Sequence, residues 1–216
     1  MKKTIHDKYK ANYFKSNDME DLYQNYPDPW RLAVDGHDRY KKIIEVLEMT
    51  YHKDHIFMVA DIGCGEGIFC SMLKDTLPNA IVYGFDISKT AVTRSIEKFN
   101  SKATFYISDI GKDCAINDIG FYPGFDVIIL GDILYYLKDT KELEHAVESL
   151  NAALKDRGTL ILTEFAISKK YSNFLAQTFK KLSENRYPVR YEKTPISLEP
   201  GKELTYRMVI YTKNGG

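Results

Sequence analysis

Val59-Ala60-Asp61-Ile62-Gly63-Cys64-Gly65-Glu66-Gly67-Ile68 decides how the rest of this chain is read. An apolar run breaks abruptly into three glycines at alternate positions, and an amphipathic segment follows. A continuous apolar run marks a strand buried on both faces of a parallel sheet, and Phe57 to Ile62 fits apart from Asp61. Gly63, Gly65 and Gly67 let the chain turn sharply at the strand's end, because residues without Cβ accept positive φ and allow a ligand close to the backbone. The helix expected from Ile68 to about Leu77 offers its unpaired N–H groups at that turn. Strand, glycine turn and helix together make a binding site for a nucleotide-like ligand.

Downstream, Leu77-Pro78-Asn79 breaks the chain. Ala80 to Phe85 reads as a second strand ending at Asp86, and Ser88 is a good N-cap for a helix from Lys89 to Phe99. Ala103 to Ile107 is a third strand, ending at Ser108-Asp109-Ile110, and residues 111–123 carry only a weak pattern. Phe125 to Leu130 is a β-branched fourth strand. A helix is expected from Asp139 to Leu154, a turn over Lys155-Asp156-Arg157-Gly158, and a fifth strand from Thr159 to Glu164. Tyr171 to Leu182 reads as a helix. Pro188 to Lys193 and Leu204 to Thr212 read as an antiparallel hairpin joined around Pro200-Gly201. In its second strand Tyr206, Met208 and Ile210 alternate with Val209 and Tyr211 on the other face.

Upstream, Tyr40, Ile43, Ile44, Val46 and Leu47 recur at helical spacing from Asp38 to about Met49. Residues 1 to about 30 are polar and aromatic, with Tyr9, Tyr13, Phe14, Tyr23, Tyr26 and Trp30. Pro27-Asp28-Pro29 excludes helix and favours a rigid turn. The segment reads as an aromatic flap anchored by Trp30, or else Trp30 fills a surface groove of the core. Residues 1–37 are taken as a cap and residues 38–216 as one domain.

With 216 residues the chain is long enough to bury a core without staples. Its formal net charge is zero, so electrostatic attraction to nucleic acid or anionic membrane is not favoured. Cys64, Cys70 and Cys114 form neither a disulfide framework nor a metal knuckle, which suggests a reducing, cytoplasmic setting with no metal. No apolar run reaches the length of a membrane span, and Met1-Lys2-Lys3 is not followed by the apolar stretch of a signal peptide.

Strands alternating with helices over residues 57–165 imply a parallel sheet covered on both faces, with ligands outside the carboxyl ends of the strands. Strand one ends in the glycine turn. Strand two ends in Asp86, whose carboxylate can accept from both hydroxyls of a ribose or can cap a helix. Strand three ends in Asp109, which can take an exocyclic amine with Ile110 against the base, or can cap a turn. The dinucleotide fingerprint G-x-G-x-x-G is not met, because Ile68 stands in the third glycine's place, and no Walker lysine follows.

Asp61-Ile62-Gly63-Cys64-Gly65-Glu66-Gly67 resembles motif I of the class I S-adenosylmethionine-dependent methyltransferases. Gly84-Phe85-Asp86-Ile87-Ser88 is similar to their acidic motif after strand two, and Ser108-Asp109-Ile110 to their adenine motif after strand three. The resemblance implies a doubly wound, Rossmann-like α/β fold with a mostly parallel seven-stranded sheet and an antiparallel last strand. It implies S-adenosyl-L-methionine as cofactor and S-adenosyl-L-homocysteine as product. Asp61 and the backbone around Gly63 and Gly65 would meet the methionine moiety, Asp86 the ribose, Asp109 and Ile110 the adenine, and Leu130 and Gly131 the sulfonium side, with Cys64, Gly67 and Ile87 as further cofactor contacts. Asp28-Pro29-Trp30 and Gly131-Asp132-Ile133-Leu134-Tyr135-Tyr136-Leu137 further resemble the nodulation-type N-methyltransferases, which are expected to carry glutamate where Asp132 stands.

The resemblance and the neutral charge point to a small-molecule acceptor, methylated on an amine nitrogen or a hydroxyl, rather than to nucleic acid or membrane. Asp132 and Tyr136 are the candidate catalytic residues. Tyr13, Trp30, His37, Tyr135 and Glu164 are candidates for holding the acceptor, although His37 also reads as a plain helix-start residue. Aromatic rings in the flap would favour a cationic sulfonium. Two competing readings are a non-catalytic methyltransferase-like binding protein and an NAD(P)-dependent oxidoreductase, the latter disfavoured by the missing third glycine.

Overall fold

The computed structural model describes residues 16–30, 33, 37–52, 54–112, 116, 124–137, 139–165, 170–190 and 203–213. Among these, seven strands form one sheet: β1 (Phe57–Ile62), β2 (Ala80–Asp86), β3 (Thr104–Ile107), β4 (Phe125–Gly131), β5 (Leu154–Phe165), β6 (Lys180–Arg190) and β7 (Glu203–Thr212). The order across the sheet is β3-β2-β1-β4-β5-β7-β6. β1 to β5 are parallel, and β7 runs antiparallel to both neighbours. This is the doubly wound, mostly parallel α/β architecture expected. Chain order reverses between β1 and β4, so their carboxyl ends open the crevice where such sheets bind ligands.

Among the described residues the α-helices are α1 (Ser16–Asn25), α2 (His37–Thr50), α3 (Ile68–Thr76), α4 (Lys89–Phe99), α5 (Thr140–Ala153) and α6 (Lys170–Thr178). Strand period sorts the core into two layers. Ile128, Leu130 and Leu162 face Leu143, Ala146, Val147 and Leu150 of α5. Val127, Ile129 and Ile161 face Ile43 and Leu47 of α2 and Phe69 and Leu73 of α3. Each such aliphatic or aromatic side chain contributes about 1.5–3 kcal/mol by leaving water. Local signals set the helix starts. Ser88 Oγ accepts from Ala91 N–H at the start of α4, and Asp139 does the same for Glu142 in α5. Gly67, left-handed, starts α3 without a side-chain cap.

Three elements differ from the reading of the sequence. α1 is a full helix within the aromatic segment; Met19, Leu22 and Tyr23 bury one face, and Pro27 to Trp30 form the turn beyond it. α6 ends at Thr178 rather than Leu182, because Phe179 N–H closes onto Leu175 O and Lys180 already pairs with Thr212 of β7. β6 therefore starts eight residues before Pro188. It is an edge strand whose charged exposed side hides its alternation, and Leu182 sits in a bulge at 56% exposure. β5 is assigned from Leu154, but Arg157 is left-handed (φ 61°) and regular pairing starts at Thr159, so the expected bend is present. The hairpin loop around Pro200-Gly201 lies outside the described residues. Among the described residues no helix is long and apolar enough to cross a membrane.

Candidate active site at the carboxyl edge of the sheet

The glycine turn is drawn tightly against β2. The N–H groups of Gly63 and Cys64 both donate to Phe85 O, at 2.7 and 3.0 Å. Gly63 (φ 80°) and Gly65 (φ 54°) hold conformations that a side chain would strain. A Cβ on Gly63 would fall 2.2 Å from Ile133 Cγ2, and one on Gly65 2.7 Å from Tyr23 Oη. The bare backbone is therefore required by what packs over it as well as by φ.

Asp86 ties the turn to the end of β2. Its Oδ2 accepts from Gly65 N–H at 2.8 Å and its Oδ1 from Ser88 N–H at 2.9 Å. Burial raises its pKa against the lowering effect of those bonds. A carboxylate offers about four acceptor positions, so Asp86 keeps capacity for hydroxyl donors. Asp61 is buried at the end of β1 and takes the thiol of Cys70 at 3.5 Å. Burial pushes Asp61 up to about 7, while the Cys70 hydrogen bond and the Arg39 guanidinium hold it back. The Cys64 and Cys70 thiols are buried, and burial raises both. At the end of β3, Asp109 Oδ1 accepts from Gly111 N–H at 3.0 Å and Oδ2 meets Lys112 Nζ at 3.2 Å, while Ile110 packs into the core.

α1 and the turn after it lie over these strand ends. Glu20 accepts from Ser88 Oγ (2.7 Å), Thr90 N–H (3.2 Å) and Thr90 Oγ1 (2.6 Å), a carboxylate set on the N-terminus of α4. Its burial acts to raise the pKa, but the Thr90 and Ser88 hydrogen bonds prevail and lower it to about 2. Arg94 Nη1 donates to Tyr23 O at 2.7 Å and to Glu66 at 2.9 Å, and Glu66 also accepts from Asp28 N–H at 3.1 Å. Trp30, Ile87 and Tyr136 pack around Met19 and Leu22, with the Trp30 and Tyr136 rings 6.4 Å apart. One residue expected to face the cofactor and two expected to face the acceptor thus share an apolar roof.

The ends of β4 and β5 are charged and buried. Leu130 is wholly inside the core and Gly131 is half-buried, in register with Thr163. Asp132 follows in a left-handed conformation (φ 59°), with its N–H bonded to Thr163 O. Its Oδ2 accepts from Arg39 Nη1 of α2, both residues being buried. Oδ1 has no hydrogen-bond partner. Burial pushes the Asp132 carboxyl up to about 6; Arg39 opposes this, Glu164 adds to it and Tyr206 opposes it. Glu164 forms a buried ion pair with Arg207, directly across from it on β7. Its carboxylate is thus committed to the sheet, a different setting from the open acceptor contact the sequence suggested. Tyr13 and the side chains of His37 and Tyr135 lie outside the described residues.

Arg39, Tyr23, Glu20, Tyr206 and Arg207 were not singled out from sequence. Two carried a signal. Arg39 shares the helix face of Ile43 and Leu47, and Arg207 shares the strand face of Val209 and Tyr211. A cation on an apolar face calls for a buried partner.

A seven-stranded sheet with this order and a glycine turn bound to the acid after β2 is the architecture of the class I S-adenosylmethionine-dependent methyltransferases. A family model described as Nodulation protein S (NodS) matches residues 16–185, and the chain belongs to that family. Nodulation protein S of Bradyrhizobium diazoefficiens is 27% identical over 134 residues, covering 62% of this chain and 61% of that protein. The chain is similar in fold to the crystal structure of N-methyltransferase NodS from Bradyrhizobium japonicum WM9 in complex with S-adenosyl-L-homocysteine. The TM-score is 0.68 at 15% identity, over 93% of this chain and 99% of that one. A S-adenosylmethionine-dependent methyltransferase from Anabaena variabilis superposes with a TM-score of 0.72 at 12% identity, covering 92% and 95% of the two chains.

Proposed function

We propose that this chain binds S-adenosyl-L-methionine at the glycine turn and methylates a small-molecule acceptor, an amine nitrogen ahead of a hydroxyl. The observation that carries the reading is the Gly65 N–H bond to Asp86. It joins a turn that tolerates no side chain to a buried carboxylate with acceptor capacity left. That cradle fits an adenosine-bearing amino acid. Asp86 would take ribose hydroxyls, Asp109 and Ile110 the adenine, and Asp61 with the backbone of Gly63 and Gly65 the methionine, with Cys64, Gly67 and Ile87 as further cofactor contacts. Leu130 and Gly131 would line the sulfonium side. Membership of a family whose solved relative is named an N-methyltransferase supports a nitrogen acceptor.

When bound, the cofactor would supply an electrophilic methyl sulfonium to the acceptor's lone pair, with the neutral thioether as leaving group. The protein's part is alignment and exclusion of water. Asp132 Oδ1 accepts an acceptor N–H, turns the nitrogen lone pair toward the methyl and takes the surplus proton. Trp30, Tyr136 and Ile87 under α1 keep water out. The segment up to residue 37, with Tyr13 and His37, acts as the cap. Tyr135 is kept as a candidate for the acceptor, and Glu164 would act on it through the charge of Asp132 rather than by direct contact.

The test is parallel calorimetric titration with S-adenosylmethionine, S-adenosylhomocysteine and NAD, followed by methyl-transfer assays on a panel of amines and hydroxylated metabolites. Micromolar binding of the two sulfur nucleotides and not NAD is expected, with turnover on amines. Binding of NAD alone would sink the reading.

A further inference from the structure

We propose that Arg39 is the positioning residue that sets the charge and orientation of Asp132, so that the free carboxylate oxygen is presented to the acceptor. The proposal rests on the reading that Asp132 receives the acceptor's N–H.

Arg39 is only 7% exposed and stands on the core side of α2. Its Nη1 takes Asp132 Oδ2 and leaves Oδ1 unpartnered. The guanidinium lies over two rings, Tyr40 at 5.0 Å and Tyr206 at 5.4 Å, which hold its plane. A carboxylate gripped on one oxygen by an immobilised guanidinium is held in one orientation, and its other oxygen, buried and unpartnered, is the one left to accept a hydrogen bond. The left-handed backbone at Asp132 and its N–H bond to Thr163 O fix the remaining freedom.

Electrostatically the groups facing Asp132 are Arg39 from α2, Glu164 from β5 and Tyr206 from β7. Glu164 is itself held by Arg207, and it opposes ionisation of Asp132. Arg39 favours ionisation, and it also lowers Asp61 at the end of β1. One guanidinium therefore acts on Asp61 at the end of β1 and on Asp132 just after β4, the two strands on either side of the crevice. Burial pushes the Asp132 carboxyl up to about 6, and the Arg39 guanidinium holds it back, favouring the carboxylate. Without Arg39, burial and Glu164 act unopposed by that cation, so the value rises and the neutral acid gains on the carboxylate.

The experiment reads Asp132 directly and needs no acceptor. Protein labelled with carboxyl-13C aspartate is titrated by NMR from pH 4 to 9, the Asp132 resonance being assigned by its loss in Asp132→Asn. Arg39→Met should move the midpoint upward by about one unit or more, and Arg39→Lys, which keeps the charge, by roughly half a unit or less. Should the Met variant fail to fold, Arg39→Gln carries the same test, keeping a neutral hydrogen-bond donor; its midpoint must rise too. A midpoint unchanged in the neutral variants would overturn the proposal and leave Arg39 a packing residue. Binding of S-adenosylhomocysteine by the parent protein is measured on the same samples. Its failure with the midpoint shift intact would overturn the cofactor reading and uphold the role of Arg39 toward Asp132.

Discussion

The phenol oxygen of Tyr23 lies 2.7 Å from the place a Cβ on Gly65 would take. The N-terminal helix and the glycine turn are thus fitted to each other, and each limits what the other can change. Gly65→Ala should lose about 1–3 kcal/mol of stability to its positive φ and to displacement of Tyr23, with S-adenosylhomocysteine affinity falling in parallel. Adding Tyr23→Phe removes the obstructing oxygen and should recover part of the loss. Thermal melts and calorimetry on both variants check this; equal behaviour of Gly65→Ala and the parent would refute it.

Glu20 links α1 to α4 across the site, and the tie is a charge on a helix N-terminus. Its folded pKa of about 2 lies below its ordinary 4.5. The stabilisation it contributes is therefore complete above pH 4.5 and fades as pH falls toward 2. Glu20→Gln should weaken docking of α1 by about 1 kcal/mol at neutral pH. Trp30, the sole tryptophan, reports on that docking through its fluorescence. The parent should hold its emission from pH 7 down to 5, and the variant should show a red-shifted spectrum throughout.

Asp86 binds two backbone N–H groups with its charge. Asp86→Asn preserves the shape but replaces a charged acceptor by a neutral amide. Loss of about 1.5–3 kcal/mol in hydroxyl binding corresponds to a roughly 10- to 100-fold drop in affinity for S-adenosylhomocysteine. Calorimetry checks it, and unchanged affinity would remove Asp86 from the ribose role.

The Arg207–Glu164 pair is buried between β5 and β7. Removing one member strands the other charge in the core. Arg207→Met and Glu164→Gln should each cost about 3–5 kcal/mol, or some 6–15 °C in melting temperature. The double variant should cost less than the sum, because neither charge is then left unpaired. Additive losses in the melts would contradict direct coupling.

Much of the sheet was legible because its signals are local. β1 ends where the glycines begin, α4 starts at Ser88, and β4 is a β-branched run; each is decided within a few residues. α6 and β6 were not legible. Lys180 to Ser183 joins a strand only because β7 stands beside it, and an edge strand bathed in water on one side needs no apolar alternation. α1 was missed because its buried face is completed by Ile87 and Tyr136, which are remote in sequence, together with Trp30 beyond the turn.

The sequence alone determined the parallel strands over residues 57–165 with the helices between them, the glycine turn and the acids at the strand ends, because strand and helix periods and glycine's conformational range act over neighbouring residues. Only the tertiary structure decided what those acids meet. Arg39 and Asp132 are 93 positions apart and Glu164 and Arg207 are 43 apart. Each cation could be recognised on an apolar face, but its partner depends on which strand ends the crossovers bring together. Burial then makes the pairing matter, since a charge that would be harmless in water must find its counter-ion once it is enclosed.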